Sequence, residues 1–203
     1  MTVVIIDCVQ GEPEWFAARK GIPTASEFAT VCAKGEGKTR RAYLYKLAGE
    51  IITDEVITDV YTNKKMERGK LLEQEAREYY SMVADVEPTT VGFIRNDQRG
   101  CSPDALIGND GLLELKTAFP HILIDRIMRD DMPPEHKAQC QGGLLVAERE
   151  WFEIGLYWPK VPMYRKRVYR DEKYIAMLDS EINRFNEDLA QVVETIKRYG
   201  GIK

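Results

Sequence analysis

The fold of this chain is decided by residues 100–117, G-C-S-P-D-A-L-I-G-N-D-G-L-L-E-L-K-T. Two apolar runs flank an N-D-G turn, a pattern typical of a β-hairpin that carries Asp104 and Glu114 to the same end. Glu114 and Lys116 alternate with leucines, so both project from one face of their strand. Because a charged pair on a central strand is costly to bury without a partner, the pattern indicates a site.

The hairpin predicts a metal site. Two carboxylates on adjacent strands suit Mg²⁺, with Mn²⁺ as a substitute, because both cations prefer oxygen ligands. Lys116 would lie beside the metal and orient an attacking water or offset charge on a phosphate. This is the chemistry of phosphodiester hydrolysis. The bare pattern also arises by chance, and the alternative interpretation is a polar hairpin with an exposed Glu and Lys.

Composition predicts one globular domain over residues 1–203. With 203 residues and 44% hydrophobic content, the chain is large enough for a sheet covered by helices. It has no long apolar run and no signal sequence, so we expect a cytoplasmic protein without a membrane segment. Four cysteines without any C-x-x-C pair argue against zinc and disulfide frameworks. The two histidines, His121 and His136, are expected to be exposed near helix starts.

The net charge of −4 gives little long-range attraction to duplex DNA. DNA binding would therefore depend on local basic clusters, for which residues 34–41, 64–70 and 165–170 are candidates. The alternative for each cluster is a solvated charged surface.

Hydrophobic periodicity predicts alternating helices and strands. A capping box at Thr24–Glu27 is expected to open the second helix. The predicted helices cover about 12–20, 39–54, 63–83, 121–130, a segment that starts at Pro133 and carries Gln139, and a C-terminal stretch from Tyr174 to Ile196. The predicted strands cover about 90–95, 101–107, 112–117, 151–158 and 163–169.

Six blocks of sequence resemble, in the same order, the lambda-type exonucleases of phage recombination systems. These belong to the YqaJ-like branch of the PD-(D/E)xK nucleases. The resemblance implies an α/β fold with a central mixed β-sheet flanked by helices, the restriction-endonuclease-like PD-(D/E)xK core. The blocks are W-F-A-A-R-K-G-I-P-T-A-S-E at 15–27, R-G-K-L-L-E-Q-E-A-R at 68–77, G-C-S-P-D-A-L at 100–106, L-E-L-K at 113–116, A-Q-C-Q at 138–141 and R-D-E-K-Y-I-A at 170–176.

The resemblance extends the proposed metal site. It implies that the backbone carbonyl of Leu115 joins Asp104 and Glu114 as a metal ligand. Glu73 matches a helical acidic residue that reaches the metal through water and, with Lys116, positions the attacking water. The sequence alone favours Glu73 as an exposed helix residue paired with Arg77 four positions on. Met66 resembles, weakly, an apolar wedge between strands at a duplex end.

A second set of residues matches family positions that hold a terminal 5′-phosphate. The set combines a guanidinium, two hydroxyls and an amide, all suited to phosphate oxygens. Taken alone, each would be interpreted as a surface, capping or turn residue. The four residues are Arg19, Ser26, Ser102 and Gln139.

Together these features predict a Mg²⁺-dependent, processive 5′→3′ exonuclease acting on double-stranded DNA ends. It would release mononucleotides and leave a 3′ single-stranded tail. The resemblance implies a homotrimeric ring around DNA and a phage single-strand annealing protein as partner. Two alternatives stay open: an endonuclease of the same fold, and a catalytically silent DNA-end-binding module. One departure concerns a further basic residue expected after L-E-L-K, because the nearest, Arg126, does not align with it.

Overall fold

The computed structural model describes residues 2–33, 37–57 and 64–201. For residues 64–70 and residue 200 it describes the backbone alone. In this part of the chain two sheets are flanked by helices. The first sheet has the order β1 (Val3–Ile6), β2 (Phe93–Asn96), β3 (Arg99–Cys101), and the second has β4 (Ala105–Ile107), β5 (Gly111–Thr117), β6 (Trp151–Trp158), β7 (Val161–Tyr169).

Seven α-helices are present in the described residues. They are α1 (Pro13–Arg19), α2 (Phe28–Val31), α3 (Lys38–Thr53), α4 (Lys64–Ala84), α5 (Pro120–Arg129), α6 (Lys137–Ala147) and α7 (Glu172–Gly200). Short 3-10 helices at Ala25–Glu27 and Pro134–His136 precede α2 and α6. None of the helices in the described ranges has the length and apolar character needed to span a bilayer.

The hairpin of β4 and β5 forms as expected, with Ala105 opposite Leu113 in an antiparallel ladder. Gly111, the first residue of β5, packs closely on the neighbouring strand, because a Cβ added there would lie 2.2 Å from the ring of Trp151. Strand β5 is central: it pairs on its other edge with β6 in parallel. The connection from β5 to β6 runs through α5 and α6, the crossover that a parallel pair requires. Strand β6 is buried along most of its length.

Helix α6 packs against both sheets, on β2 and β3 of the first and on β6 of the second. Helix α7 covers the same core with an apolar stripe of Ile175, Leu178, Ile182, Phe185 and Leu189, all buried. Its first turn is capped by the carboxylate of Asp171, which accepts a hydrogen bond from the backbone N–H of Tyr174 at 3.0 Å.

The structure confirms the mixed α/β architecture and corrects two local expectations. The predicted strand at 101–107 is interrupted at residues 102–104, where Pro103 has no N–H to contribute to a ladder. The capping box at Thr24–Glu27 is wrong, because the side chain of Thr24 makes no cap hydrogen bond. The sheet is also divided in two rather than continuous, and β1 was not predicted as a strand.

Gly142, on α6, provides a test of this packing. A Cβ at residue 142 would lie 2.3 Å from the ring of Phe28, which is fully buried. We expect Gly142→Ala to lower the free energy of unfolding by about 1–3 kcal/mol, since overpacking displaces core side chains. Chemical denaturation measures this change. Gly37→Ala is the matched control, because no atom in the described part of the chain lies within 4 Å of its added Cβ, and an equal loss there would contradict the packing argument.

Candidate active site

Strand β5 is joined to the loop at residues 102–104 by two hydrogen bonds around Asp104. The backbone N–H of Asp104 donates to the carbonyl of Leu113 at 2.9 Å. The backbone N–H of Leu115 donates to Oδ2 of Asp104 at 2.6 Å. Because N–H and C=O of one strand residue point to the same edge, the Leu115 carbonyl lies on the Asp104 side of β5. This places the predicted backbone ligand beside the Asp104 carboxylate.

Glu114 is the most constrained carboxylate of the site, with only 8% of its surface exposed. Its Oε1 accepts two hydrogen bonds, from Lys116 Nζ and from Gln139 Nε2, each at 2.8 Å. Its Oε2 is buried without a hydrogen-bond partner among the described residues. A buried carboxylate oxygen without a partner is costly, and a bound cation is one way to satisfy it.

These donors fit a hard divalent cation. The carboxylates of Asp104 and Glu114 and the Leu115 carbonyl are all oxygen ligands, as Mg²⁺ and Mn²⁺ prefer. Within residues 2–33, 37–57 and 64–201, no three His, Cys, Asp or Glu side chains lie close enough to hold a metal by themselves. Water and the backbone would therefore complete the coordination.

Glu73 lies at the edge of the site. It lines a cleft of about 620 Å³ together with Asp104 and Lys116, and it also accepts a hydrogen bond from Arg77 at 2.9 Å. The predicted pair with Arg77 is thus present, and Glu73 lies in the same cleft as Asp104. Its contact with a metal through water stays a prediction.

The acidic environment changes two pKa values. Burial raises the pKa of Asp104 to about 8, and the charges of Glu114 and Glu73 contribute to the rise. Burial acts to lower the pKa of Lys116, but the adjacent Glu114 carboxylate and Asp104 outweigh burial and raise it. In the absence of a cation the site therefore favours a proton on Asp104 and a charged Lys116.

Two residues that sequence analysis had set aside line the same cleft. Arg126 lies in its wall and is paired with Asp131 and Glu135, each at 3.1 Å. His136, expected to be exposed, is half-buried there, and burial lowers its pKa, as does the charge of Lys116. No sequence motif predicts that either residue lines the cleft, because α5 and the following 3-10 helix bring them there only when the chain folds.

The four predicted phosphate ligands, Arg19, Ser26, Ser102 and Gln139, come together around one small pocket. The pocket holds about 30 Å³ and also contacts Glu114. Arg19 donates to Ser102 Oγ at 3.1 Å and to Thr24 Oγ1 at 3.4 Å, and Thr24 Oγ1 lies 3.3 Å from Ser26 Oγ. Burial lowers the pKa of the Arg19 guanidinium. The segment before α2, the loop before β4 and the start of α6 therefore meet at this pocket.

Sequence analysis missed two supporting side chains. Gln10 donates from Nε2 to the carbonyls of Val91 and Pro103, each at 2.9 Å, and so fastens the loop that carries Asp104. Trp15 donates from Nε1 to Ser102 Oγ at 2.9 Å. Trp15 lies within the block at 15–27 that resembles the family, four residues before Arg19. Residues four apart are neighbours on a helix, and this spacing is the one sequence signal that links Trp15 to Arg19.

The predicted basic clusters have mixed outcomes. The cluster at 165–170 is ion-paired: Arg165 and Arg167 with Glu153, Lys166 with Asp130, and Arg170 with Glu172. Three carboxylates offset most of the charge of these four basic residues, so the cluster is not a free positive patch. The side chains of residues 64–70, including the predicted wedge Met66, and residue 34 lie outside the described part of the chain.

A sequence profile described as the YqaJ-like viral recombinase domain matches residues 14–150. The match includes every site residue that the sequence predicts, from Arg19 to Gln139. The chain belongs to the YqaJ-like viral recombinase family. No curated protein matches it.

The structure resembles an alkaline exonuclease from Laribacter hongkongensis, with 30% identity, a TM-score of 0.84, and coverage of 94% of this chain and 98% of that chain. The same enzyme in complex with dAMP gives 31% identity, a TM-score of 0.85 and the same coverage. A phage-related exonuclease from Haemophilus somnus 129PT gives a TM-score of 0.68 at 10% identity, covering 86% of this chain and 96% of that chain, which supports the fold alone. Family and structure together indicate a nuclease.

The raised pKa of Asp104 predicts the pH dependence of the metal-free protein. In an unfolded chain Asp titrates near 3.9. Between that value and about 8, the folded state holds a proton that the unfolded state has released, so stability falls as pH rises. In EDTA we expect the free energy of unfolding to fall by about 1 kcal/mol per pH unit between about pH 5 and pH 7.

The matched variant is Asp104→Asn, which cannot titrate and is expected to lose this slope. Chemical denaturation across the pH series measures both proteins. At pH 8, added Mg²⁺ should stabilise the wild type more than the variant, because the cation compensates the charge repulsion among Asp104, Glu114 and Glu73. The same slope in Asp104→Asn would assign the effect to another group.

Proposed function

We propose that this chain is a Mg²⁺-dependent, processive 5′→3′ exonuclease acting on double-stranded DNA ends. It releases mononucleotides and leaves a 3′ single-stranded tail, and residues 1–203 act as a single nuclease domain. Membership of a family of phage-type DNA exonucleases supports the substrate class. The related exonuclease from Laribacter hongkongensis has been solved with dAMP, a deoxynucleoside monophosphate, which supports mononucleotide release.

The observation that carries the proposal is that hydrogen bonds to one oxygen of Glu114 connect the two pockets. Gln139, in the small pocket, donates to Glu114 Oε1 at 2.8 Å, and Lys116, in the large cleft, donates to the same oxygen. The small pocket is about 30 Å³, against about 620 Å³ for the cleft, so it admits a terminal group and not a continuing strand. An end-binding pocket beside a metal site is what an exonuclease requires.

The chain's own residues divide the reaction between them. Asp104, Glu114 and the Leu115 carbonyl would hold the cation. Lys116 is held by Glu114 at the cleft wall, where its ammonium orients the attacking water and offsets charge on the phosphate. Glu73, which lines the same cleft, would accept a hydrogen bond from that water.

When bound, the divalent cation supplies Lewis-acid stabilisation of the phosphate oxygens and lowers the pKa of a coordinated water. The partnerless Oε2 of Glu114 is the structural feature that fits this cation. Mn²⁺ is an acceptable substitute, because it has the same preference for oxygen ligands.

The polarity follows from the small pocket. Arg19, Ser26, Ser102 and Gln139 seat the terminal 5′-phosphate, and their donors match its acceptor oxygens. Anchoring that phosphate beyond Glu114 leaves the next phosphodiester over the Asp104 and Glu114 carboxylates. Each cleavage produces a new 5′-phosphate, so the same contacts are available for the following step.

Processivity requires that DNA stay bound between steps. A chain with a net charge of −4 and an ion-paired 165–170 cluster has little bulk electrostatic attraction for duplex DNA. A homotrimeric ring that encloses DNA would supply the retention, and a phage single-strand annealing protein would receive the 3′ tail. The support for both assemblies is the family resemblance.

The deciding experiment digests one linear duplex, with 5′-phosphate or 5′-hydroxyl ends, beside a covalently closed circle in Mg²⁺. We expect loss of the phosphorylated linear strand, with the hydroxyl-ended duplex degraded at least about tenfold more slowly, since charge-assisted hydrogen bonds to the phosphate are lost. The circle should stay intact. Cleavage of the circle would favour the endonuclease alternative, and no cleavage together with no heat of Mn²⁺ binding would favour the silent end-binding module.

Lys116→Ala tests the catalytic role of the ammonium. We expect the cleavage rate to fall by about a thousandfold, because removing one group that stabilises developing charge commonly has an effect of this size. Binding to DNA ends should persist, as measured by fluorescence anisotropy in Ca²⁺. Lys137→Ala is the matched control, since Lys137 pairs with Asp171 outside both pockets. Unchanged turnover in Lys116→Ala would remove Lys116 from the mechanism.

A further inference from the structure

The hydroxyl of Ser102 has both of its acceptor positions occupied. Trp15 Nε1 donates to Ser102 Oγ at 2.9 Å, and Arg19 NH1 donates to the same oxygen at 3.1 Å. A serine hydroxyl has two acceptor lone pairs and one O–H donor. An indole N–H and a guanidinium are donors only, so the direction of both hydrogen bonds is fixed. Ser102 can therefore make one further hydrogen bond, in which its O–H is the donor.

Trp15 also fixes the position of Arg19. The guanidinium carbon of Arg19 lies 4.0 Å from the centroid of the Trp15 ring, a cation–π contact within α1. Trp15 therefore touches both groups that would meet a phosphate first, Ser102 through its N–H and Arg19 through its ring face. Trp15 itself does not line the small pocket, so it acts through these two neighbours.

We propose that Trp15 is a positioning residue that makes Ser102 an obligate hydrogen-bond donor and thereby sets the preference for a phosphorylated 5′ end. This inference rests on the proposed function, because it assumes that the small pocket receives the terminal phosphate. A phosphate offers acceptor oxygens only, which match a fixed O–H donor and a fixed guanidinium. A 5′-hydroxyl lacks the charged oxygens that would accept hydrogen bonds from both groups.

The second hydroxyl of the pocket, Ser26, is held differently. Thr24 Oγ1 accepts from Arg19 NH2 at 3.4 Å and lies 3.3 Å from Ser26 Oγ, where either hydroxyl can be the donor. Ser26 can therefore adjust its direction to the ligand. Ser102 has no such freedom while the indole N–H is present. The preference for phosphate should thus depend more on the Trp15–Ser102 pair than on Ser26.

The test is Trp15→Phe, which keeps an aromatic ring beneath Arg19 and removes the N–H donor. The measurement is the ratio of kcat/KM on 5′-phosphate ends to kcat/KM on 5′-hydroxyl ends of the same duplex. We expect this ratio to fall about tenfold, the effect of losing a single charge-assisted hydrogen bond. Replacing Trp15 by benzothienylalanine, which substitutes sulfur for the N–H with little change of shape, should lower the ratio equally.

A double-mutant cycle tests whether Trp15 acts through Ser102. In a Ser102→Ala background, Trp15→Phe should have no further effect on the ratio, whereas independent residues would give additive effects. Trp151→Phe is the control variant, because Trp151 stacks under Arg167 at 3.6 Å outside both pockets and its loss should leave the ratio unchanged.

The outcomes separate this inference from the proposed function. A wild-type enzyme that degrades both kinds of end equally would overturn the phosphate pocket itself, and the Trp15 assignment with it. A wild-type preference that survives in Trp15→Phe and in the benzothienylalanine protein would overturn the role of Trp15 and leave the pocket in place. Additive effects in the Ser102→Ala background would do the same.

Discussion

The buried carboxylate of Glu114 is the interaction on which both pockets depend. One oxygen is shared by Lys116 on its own strand and Gln139 on α6, and the other has no hydrogen-bond partner in the described structure. A carboxylate with 8% exposure is costly to keep charged in this setting. Lys116 and Gln139 compensate part of that cost. The unsatisfied oxygen is the feature that would favour binding of a further positive charge, as the proposed cation site requires.

The break in the predicted 101–107 strand explains how one short hairpin serves two pockets. Pro103 ends the ladder, and the residues on its two sides then face different spaces: Ser102 lines the small pocket and Asp104 lines the cleft. Strand β5 is divided in the same way: Glu114 lines the small pocket and Lys116 lines the cleft. Gln10 holds the Pro103 carbonyl at 2.9 Å, so the break is a fixed feature. Under the proposed function, the hairpin would separate the pocket for the DNA end from the cleft for hydrolysis.

The sequence predicted those parts of the structure that local pattern controls. The N-D-G turn and the flanking leucines predict the hairpin and its shared face, and the stripe from Tyr174 to Ile196 predicts α7, because both signals arise within one element. The division into two sheets was not predictable in this way, since it depends on how β3 and β4 separate at Pro103. Arg126 and His136 were missed for the same reason: they reach the cleft through tertiary packing, and no residue nearby in sequence records it.

The grouping of Arg19, Ser26, Ser102 and Gln139 came from family resemblance, because each residue alone has an ordinary surface role. The structure adds the hydrogen-bond directions that the sequence cannot contain. Those directions matter for a chain with a net charge of −4, in which Arg165 and Arg167 are both committed to Glu153. Where long-range attraction is weak, selectivity must come from short-range contacts. A guanidinium held against Trp15 and a serine restricted to donation are contacts of this kind, and in the proposed function they would act only once a DNA end has entered the pocket.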